Sequence, residues 1–300
     1  MTKIALKRPG AIGDIIMTFN FVEKLKANHD VYYFCHQLNY DILQNFVAKN
    51  KIVKLYPLEN YNEKNFDKTI NLIGYPINEG YPNKKMDKHL LEYFAFEMKV
   101  KFDFNSFNLD LPIFPKKIKN KNSPFYITFQ NKTGWSIYKE WWGWQELINL
   151  IKHHRPDIEI YQIGGSDDPI INNIDGSFCG DSFENNVAAQ AWSTLHIGLD
   201  SVFNHTTNIN WTNKGKVKGI ILFGSTQKEA SGYPHNENIS LGLNCQPCFK
   251  ENPKVSRMPL GICNNPSNQT YENPQHSCMK NITPNMVFEK IINNLRNKNE

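Results

Sequence analysis

The sequence predicts an α/β protein made of two halves, each a parallel sheet wound with helices. Three observations lead there. Short β-rich runs alternate with amphipathic stretches along most of the 300 residues. Several of these runs end in glycine-punctuated turns, at the edge where parallel sheets bind ligands. A lysine- and proline-rich segment with Pro112, Pro115 and Pro124 interrupts the alternation as an interdomain connector would. The length is also more natural for two domains than for one.

In the first half, Ile4-Ala5-Leu6 opens a strand at 3–7, and Pro9-Gly10-Ala11-Ile12-Gly13-Asp14 turns into a helix at 14–27. Gly10 and Gly13 permit a tight turn. Ile15, Ile16, Phe19, Val22 and Leu25 recur near helical spacing, which buries one face and leaves Glu23, Lys24 and Lys26 in water. Asp14 can be read as a helix cap or as a carboxylate at the mouth of a ligand crevice. Strands at 31–35, 52–55 and 68–72 and helices at 38–49 and 86–98 complete this half, with right-handed crossovers.

After the connector the alternation resumes with Phe125-Tyr126-Ile127-Thr128-Phe129, a helix at 143–154, and Ile158 to Ile163 running into Gly164-Gly165. Strands at 195–199 and 217–223 follow. A last helix at 284–296 carries Met286, Val287, Ile291, Ile292 and Leu295 on one side, and Pro284 suits its first turn. The expected organisation is an N-terminal domain over 1–122, a C-terminal domain over 123–282, and a terminal helix in 283–300.

Composition narrows the function classes. The chain is 40% hydrophobic and 21% charged, and no stretch approaches the ~20 apolar residues that span a bilayer. The apolar run near the N-terminus is too brief for a secretory signal. A cytoplasmic protein is therefore expected. The net charge of +5, from 34 basic and 29 acidic side chains, is too small for nucleic-acid binding to be expected. Its densest cluster, Lys116, Lys117, Lys119 and Lys121, reads as a solvated connector; contact with an anionic membrane surface is the lesser reading.

Cys245, Cys248, Cys263 and Cys278 form a C-x2-C-x14-C-x14-C pattern. In a reducing compartment, clustered thiols favour a metal over disulfides. The Asn-, Pro- and Ser-rich sequence between them has little apolar content to hold it together. Zinc is the default for four thiolates, and iron also suits tetrahedral sulfur. The alternative is a loop of unpaired thiols. Cys35 and Cys179 stand alone among apolar neighbours and read as core thiols.

Four further signals lie at strand ends of the second half. Lys139, in the segment Lys132 to Trp142, offers a compact positive charge for phosphate oxygens, although a lone lysine is more often only a surface residue. Gly164-Gly165 admits close backbone approach of a nucleotide or makes an ordinary turn. Asp200-Ser201 with His205 puts a carboxylate, a hydroxyl and an imidazole at one strand-to-helix corner, where a helix start can cradle a pyrophosphate; helix capping and a buried core histidine are the plainer alternatives. Gly224-Ser225-Thr226 says little alone. Neither glycine turn follows G-x-G-x-x-G, which weakens a nicotinamide-type reading.

Taken in order, Gly13-Asp14, Lys139 before Trp142, Gly164-Gly165, Asp200-Ser201 with His205, and Gly224-Ser225-Thr226 resemble glycosyltransferase family 9, the heptosyltransferases, over nearly the whole chain. The cysteine pattern looks like the metal-holding finger of many relatives. The resemblance implies a GT-B architecture: two Rossmann-like domains facing a central cleft, acceptor on the first and nucleotide-sugar donor on the second. It also implies inverting transfer of a sugar, typically a heptose from ADP-heptose, to a glycan, lipid-linked glycan or protein hydroxyl, without a catalytic metal. Peripheral contact with the inner membrane face fits such acceptors.

By the same resemblance Asp14 is the general base beside Gly13, and Lys139 offsets charge on the departing diphosphate. Asp200 holds sugar hydroxyls, with Ser201 and nearby amides on phosphate. Gly164, Gly165, His205, Ser225 and Thr226 complete the donor side. The chain departs from the family at Val202, where glycine is common and a β-branched residue restricts the backbone. Two alternatives follow: a nucleotide-sugar-binding protein without activity, and a metal-ribbon module for nucleic acid.

Overall fold

The computed structural model describes residues 1–74, 86–119, 125–134, 139–247 and 277–296. Its first sheet contains β1 (Thr2–Lys7), β2 (His29–Cys35), β3 (Lys54–Pro57) and β4 (Lys68–Asn71), ordered β3-β2-β1-β4. All three pairings are parallel. The helices of this half are α1 (Ile12–Lys26), α2 (Gln37–Lys49) and α3 (Leu90–Glu97). The apolar spacing read in the sequence lies on the buried face of α1: Ile15, Ile16, Phe19, Val22 and Leu25 are all interior.

Strand β5 (Asn108–Leu109) crosses to the second half, where it pairs in parallel with β10 (Asn210–Trp211). The second sheet contains β6 (Tyr126–Phe129), β7 (Glu159–Gln162), β8 (Gly176–Ser177), β9 (Leu195–Leu199), β11 (Gly219–Leu222) and β12 (Glu237–Ile239). Its order is β12-β11-β9-β6-β7-β8, again parallel throughout. Helix α4 (Trp144–His154) packs against the last helix, α9 (Pro284–Arg296), on one side of this sheet. The described residues also form α5 (Phe183–Trp192), α6 (Val202–Thr206), α7 (Lys228–Ser231) and α8 (Ser277–Lys280). None of these helices is long and apolar enough to cross a membrane.

Helix α5 escapes sequence reading for a physical reason. Asn186 and Gln190 lie on its buried face, 2% and 1% exposed, so polarity breaks the apolar period where the helix packs. Both amides are satisfied. Asn186 donates to the main-chain carbonyls of Phe178, Asp181 and Ser182 and accepts from Gly164 N, while Gln190 donates to Phe203 O and accepts from Thr206 Oγ1. Buried amides bonded in this way are tolerated, and unpaired ones are not.

The halves share one continuous apolar core: Phe19 and Phe46 of the first belong to the same cluster as Phe183, Phe203 and Tyr233 of the second. A polar chain threads the seam. Asn208 Nδ2 donates to Asn20 Oδ1 at 2.9 Å, and Lys216 Nζ donates to Asn208 Oδ1 at 2.7 Å and to Phe104 O at 2.9 Å. Gln227 binds both main-chain atoms of Met86, accepting from N at 3.1 Å and donating to O at 2.8 Å. These bonds hold the strand ends of the two sheets in a fixed relation.

Burial also sets the acid limit of the fold. It pushes the pKa of His196 down to about 3, and that of His89 to about 3 with the neighbouring His205 adding to the effect. An unfolded chain titrates histidine near ~6.5 and so binds more protons than the native state between that value and about 3. The contribution is complete above ~6.5 and is lost as pH falls toward 3. Urea midpoints are therefore expected to drop steadily from pH 7 to pH 4, with a shallower drop in a His196→Gln variant. Equal slopes in the two proteins would remove His196 as a cause.

Candidate active site

Chain geometry brings Gly13 and His205 together at the seam between α1 and α6 and joins Lys139, Asp200 and Thr226 in one hydrogen-bonded group. Asp14 is the third residue of α1, and the cap position belongs to Ala11, which has no capping side chain. The capping reading of Asp14 thus falls away. Its carboxylate instead accepts from Arg8 Nη2, in an ion pair whose acid side chain is 30% exposed and whose base is almost wholly buried. Gly13 explains itself by proximity: a Cβ there would lie 2.9 Å from His205 Cδ2. That contact brings the opening turn of the first half onto α6 of the second.

His205 is the pivot. Its Nδ1 and the hydroxyl of Tyr233 lie 3.1 Å apart, and the ring is buried. Burial lowers its pKa, against the attraction of Asp200 and Asp14 for the charged form. The two carboxylates therefore stand within electrostatic reach of one imidazole, one from each half.

Asp200 ends β9 and is 5% exposed. Oδ2 accepts from Lys139 Nζ at 2.8 Å and from Thr226 Oγ1 at 2.6 Å, and Oδ1 accepts from Ser231 Oγ at 2.9 Å. Lys139 Nζ also donates to Asp200 O at 3.1 Å. Burial alone would raise this carboxyl, but Lys139, His205 and the Thr226 hydroxyl outweigh it and hold the pKa at about 2. Lys139 keeps a side chain that is 20% exposed, so part of the ammonium still faces the surface.

The other residues expected on the donor side, Ser225 apart, have partners of their own. Ser201 caps α6 in extended backbone and donates its hydroxyl proton to Gln130 Oε1. Val202 starts α6 in helical backbone, and its Cα would be 3.6 Å from a Cβ on Gly13. Its side chain is partly buried against the core shared by the two halves. Gly164 and Gly165 follow β7, where Asp168 folds back: Gly165 N donates to Asp168 Oδ2 at 2.9 Å, and a Cβ on Gly164 would meet that oxygen at 2.1 Å. Burial raises the Asp168 pKa. Ser225 is buried, and its hydroxyl has no hydrogen-bond partner among the described residues.

Some predicted features are only partly described. Of the four patterned cysteines, Cys245 and buried Cys278 stand at either side of 248–276, and Cys248 and Cys263 lie outside the described residues. So do Lys121, Pro124, residues 135–138 of the segment Lys132 to Trp142, and residues 75–85. A cavity of about 550 Å3 opens elsewhere, between the ends of α2 and α5 and beside β5 and β10, and none of the predicted residues lines it.

Neither a family profile nor a curated protein matches the sequence. Solved structures do. The iron-containing dodecameric glycosyltransferase TibC from enterotoxigenic E. coli H10407 superposes with a TM-score of 0.70 at 14% identity, over 99% of this chain and 78% of that one. A glycosyltransferase family 9 protein from Veillonella parvula DSM 2008 gives 0.70 at 14% identity, over 99% and 98%. The E. coli ADP-heptose lps heptosyltransferase II gives 0.63 at 14% identity, over 99% and 100%. The fold is that of the family 9 heptosyltransferases. Its two parallel sheets match the GT-B architecture expected from the motifs.

Within this heptosyltransferase fold, sequence reasoning missed Arg8, Gln130, Gln227 and Ser231. Arg8 had a signal, because a cation directly before the Pro9 turn sits at the ligand edge of β1. Ser231 had none: it reaches Asp200 across a sequence separation of 31 residues.

Proposed function

We propose that the protein is an inverting glycosyltransferase that moves a sugar, a heptose in our reading, from ADP-heptose to a hydroxyl of a surface glycan, lipid-linked glycan or protein. One observation carries it. The chain shares over almost its whole length the fold of proteins named as heptosyltransferases, and Gly13 beside Asp14 of one half packs against His205 of the other, the half that holds the Lys139–Asp200 pair. The N-terminal half then serves the acceptor, and the C-terminal half with its terminal helix serves the donor.

In this reading the acceptor hydroxyl gives its proton to Asp14 while its oxygen attacks the anomeric carbon. The bond from that carbon to the diphosphate oxygen breaks, ADP leaves with the electron pair, and the configuration inverts. Lys139 stabilises the growing charge on ADP, a task for fixed positive groups close to a leaving oxyanion. Ser225, whose hydroxyl has no partner among the described residues, is the free hydroxyl for phosphate, and Gly164-Gly165, without side chains, leave room for the nucleoside beside Asp168.

The thiol set of Cys245, Cys248, Cys263 and Cys278 fits a tetrathiolate metal, zinc or iron, which holds a segment poor in apolar residues. Its part is structural. Stripping the metal with a strong chelator is expected to lower Tm while leaving ADP-sugar affinity of the surviving native protein unchanged. A donor affinity that tracks metal content one to one would contradict this.

A thermal-shift series with ADP-, UDP-, GDP- and CMP-sugars tests the function. ADP-heptose is expected to give the largest rise in Tm, followed by transfer to a suitable hydroxyl. A preference for another nucleotide would correct the donor, and no shift with any of them would reject the assignment.

A further inference from the structure

We infer that Arg8 is a positioning residue for the transfer reaction, orienting Asp14 so that one carboxylate oxygen is presented to the acceptor hydroxyl; the inference rests on the proposed function. Arg8 directly follows β1 and is 7% exposed. Both terminal nitrogens of its guanidinium are bonded, and Nε is buried with no hydrogen-bond partner among the described residues. Nη1 donates to Leu72 O at 3.1 Å, Nη2 donates to Asp14 Oδ2, and Cζ lies 5.7 Å from the centre of the Phe94 ring. Gly10 closes the cage from above, since a Cβ there would lie 2.9 Å from Cζ and 3.0 to 3.1 Å from both terminal nitrogens. The glycine in the opening turn is therefore required by the arginine beneath it.

A buried guanidinium needs a counter-charge. Among the described residues Asp14 is the only acidic group bonded to it. Here the arginine is enclosed and the acid is 30% exposed, so the rigid partner is hidden and the reactive one faces outward. Only Oδ2 is bonded to Arg8, which leaves Oδ1 for a substrate proton. A base held by a third group is the arrangement that proton-abstracting sites share. Arg8 also supports the base through two separate elements, the loop after β4 at Leu72 and helix α3 at Phe94, so that the carboxylate direction is fixed by the sheet itself.

The planar fork matters as well as the charge. Arginine spans Leu72 O and Asp14 with two nitrogens, and a lysine has one ammonium for both. Misplacing a catalytic group by about 1 Å can cost ~10²-fold in rate.

The test compares Arg8→Lys, Arg8→Met, Asp14→Asn and the Arg8→Met/Asp14→Asn pair in the full-length protein. Donor affinity for ADP-sugar, kcat, acceptor KM and Tm are measured for each. Arg8→Met is expected to lower kcat ~10²-fold with donor affinity unchanged, and Arg8→Lys to recover part of the loss. In the Asp14→Asn background the Arg8 substitution is expected to cause no further fall in kcat, because it acts through that carboxylate. If Arg8→Met lowers Tm but leaves kcat of the folded fraction at the wild-type value, the inference is overturned while the glycosyltransferase assignment stands. Losses that multiply in the paired variant would overturn it in the same way. A wild-type protein that binds no sugar nucleotide and transfers none overturns both.

Discussion

Asp14→Asn is expected to reduce transfer about 10³-fold while ADP-sugar binding stays close to wild type, the largest single effect the site predicts. The amide keeps the shape of the carboxylate and cannot take a proton from the acceptor. The proposed donor residues Lys139 and Asp200 are bonded to each other on the other half of the chain, so under the proposed function the donor side is separate from the change. The substitution also has a structural cost, because it removes the counter-ion of buried Arg8. Breaking a fully buried pair costs ~3–5 kcal/mol; with Asp14 30% exposed, solvent screens part of this and about 2 kcal/mol is expected. Activity must therefore be normalised to the folded fraction, read by circular dichroism at the assay temperature. Turnover within threefold of wild type would remove Asp14 as the base, whatever happens to Tm.

Sequence patterns made the scaffold legible where apolar periodicity and burial agree. Strands β1 and β2 and helix α1 fall within a few residues of their expected bounds, because Ile4, Leu6, Val31, Tyr33, Ile15 and Phe19 occupy inward positions there. The final helix was legible from Val287, Ile291 and Leu295, which are all interior. Helix α5 was hidden by its buried amides. The two-residue strands β5 and β10 were hidden because their pairing joins positions about a hundred residues apart and has no local pattern.

For the site, order along the chain was informative and bonding was not. Asp14, Lys139, Asp200 and His205 could be singled out by residue type and position at strand ends. What the sequence could not show is how they are partnered. Arg8 binds Asp14 only because a turn folds back by six residues, and Thr226 reaches Asp200 from the loop after β11 while Ser231 reaches it from the end of α7. Ser201 was expected on phosphate, and its proton is on Gln130, a residue with no motif around it. Such pairings arise from the convergence of strand ends, which a linear pattern does not encode.

The same convergence gives the second large effect, at Asp200. Three hydrogen bonds to its oxygens come from Lys139, Thr226 and Ser231, and the residue is 5% exposed. A carboxylate has about four acceptor positions, so little remains for a sugar hydroxyl. The stronger expectation is that Asp200 serves the donor by holding the Lys139 ammonium. Asp200→Asn should cost ~3–5 kcal/mol of stability, since it strips a buried ion pair of one charge and turns an amide N–H toward groups that are themselves donors. If Asp200 acts through Lys139, affinities for ADP and for ADP-heptose fall by the same factor, about tenfold, because the diphosphate common to both is what the lysine contacts. Should Asp200 bind sugar hydroxyls directly, ADP-heptose alone weakens. Titration of both ligands by calorimetry separates the two cases. Acid gives an independent check on the carboxylate: with its pKa held at about 2, against ~3.9 in an unfolded chain, its contribution is complete above ~3.9 and disappears as pH falls through 2. The stability difference between wild type and Asp200→Asn should therefore be constant from pH 7 to pH 5 and narrow only in stronger acid, and a difference that vanishes already at pH 5 would show that the native carboxyl is not held in this ion pair.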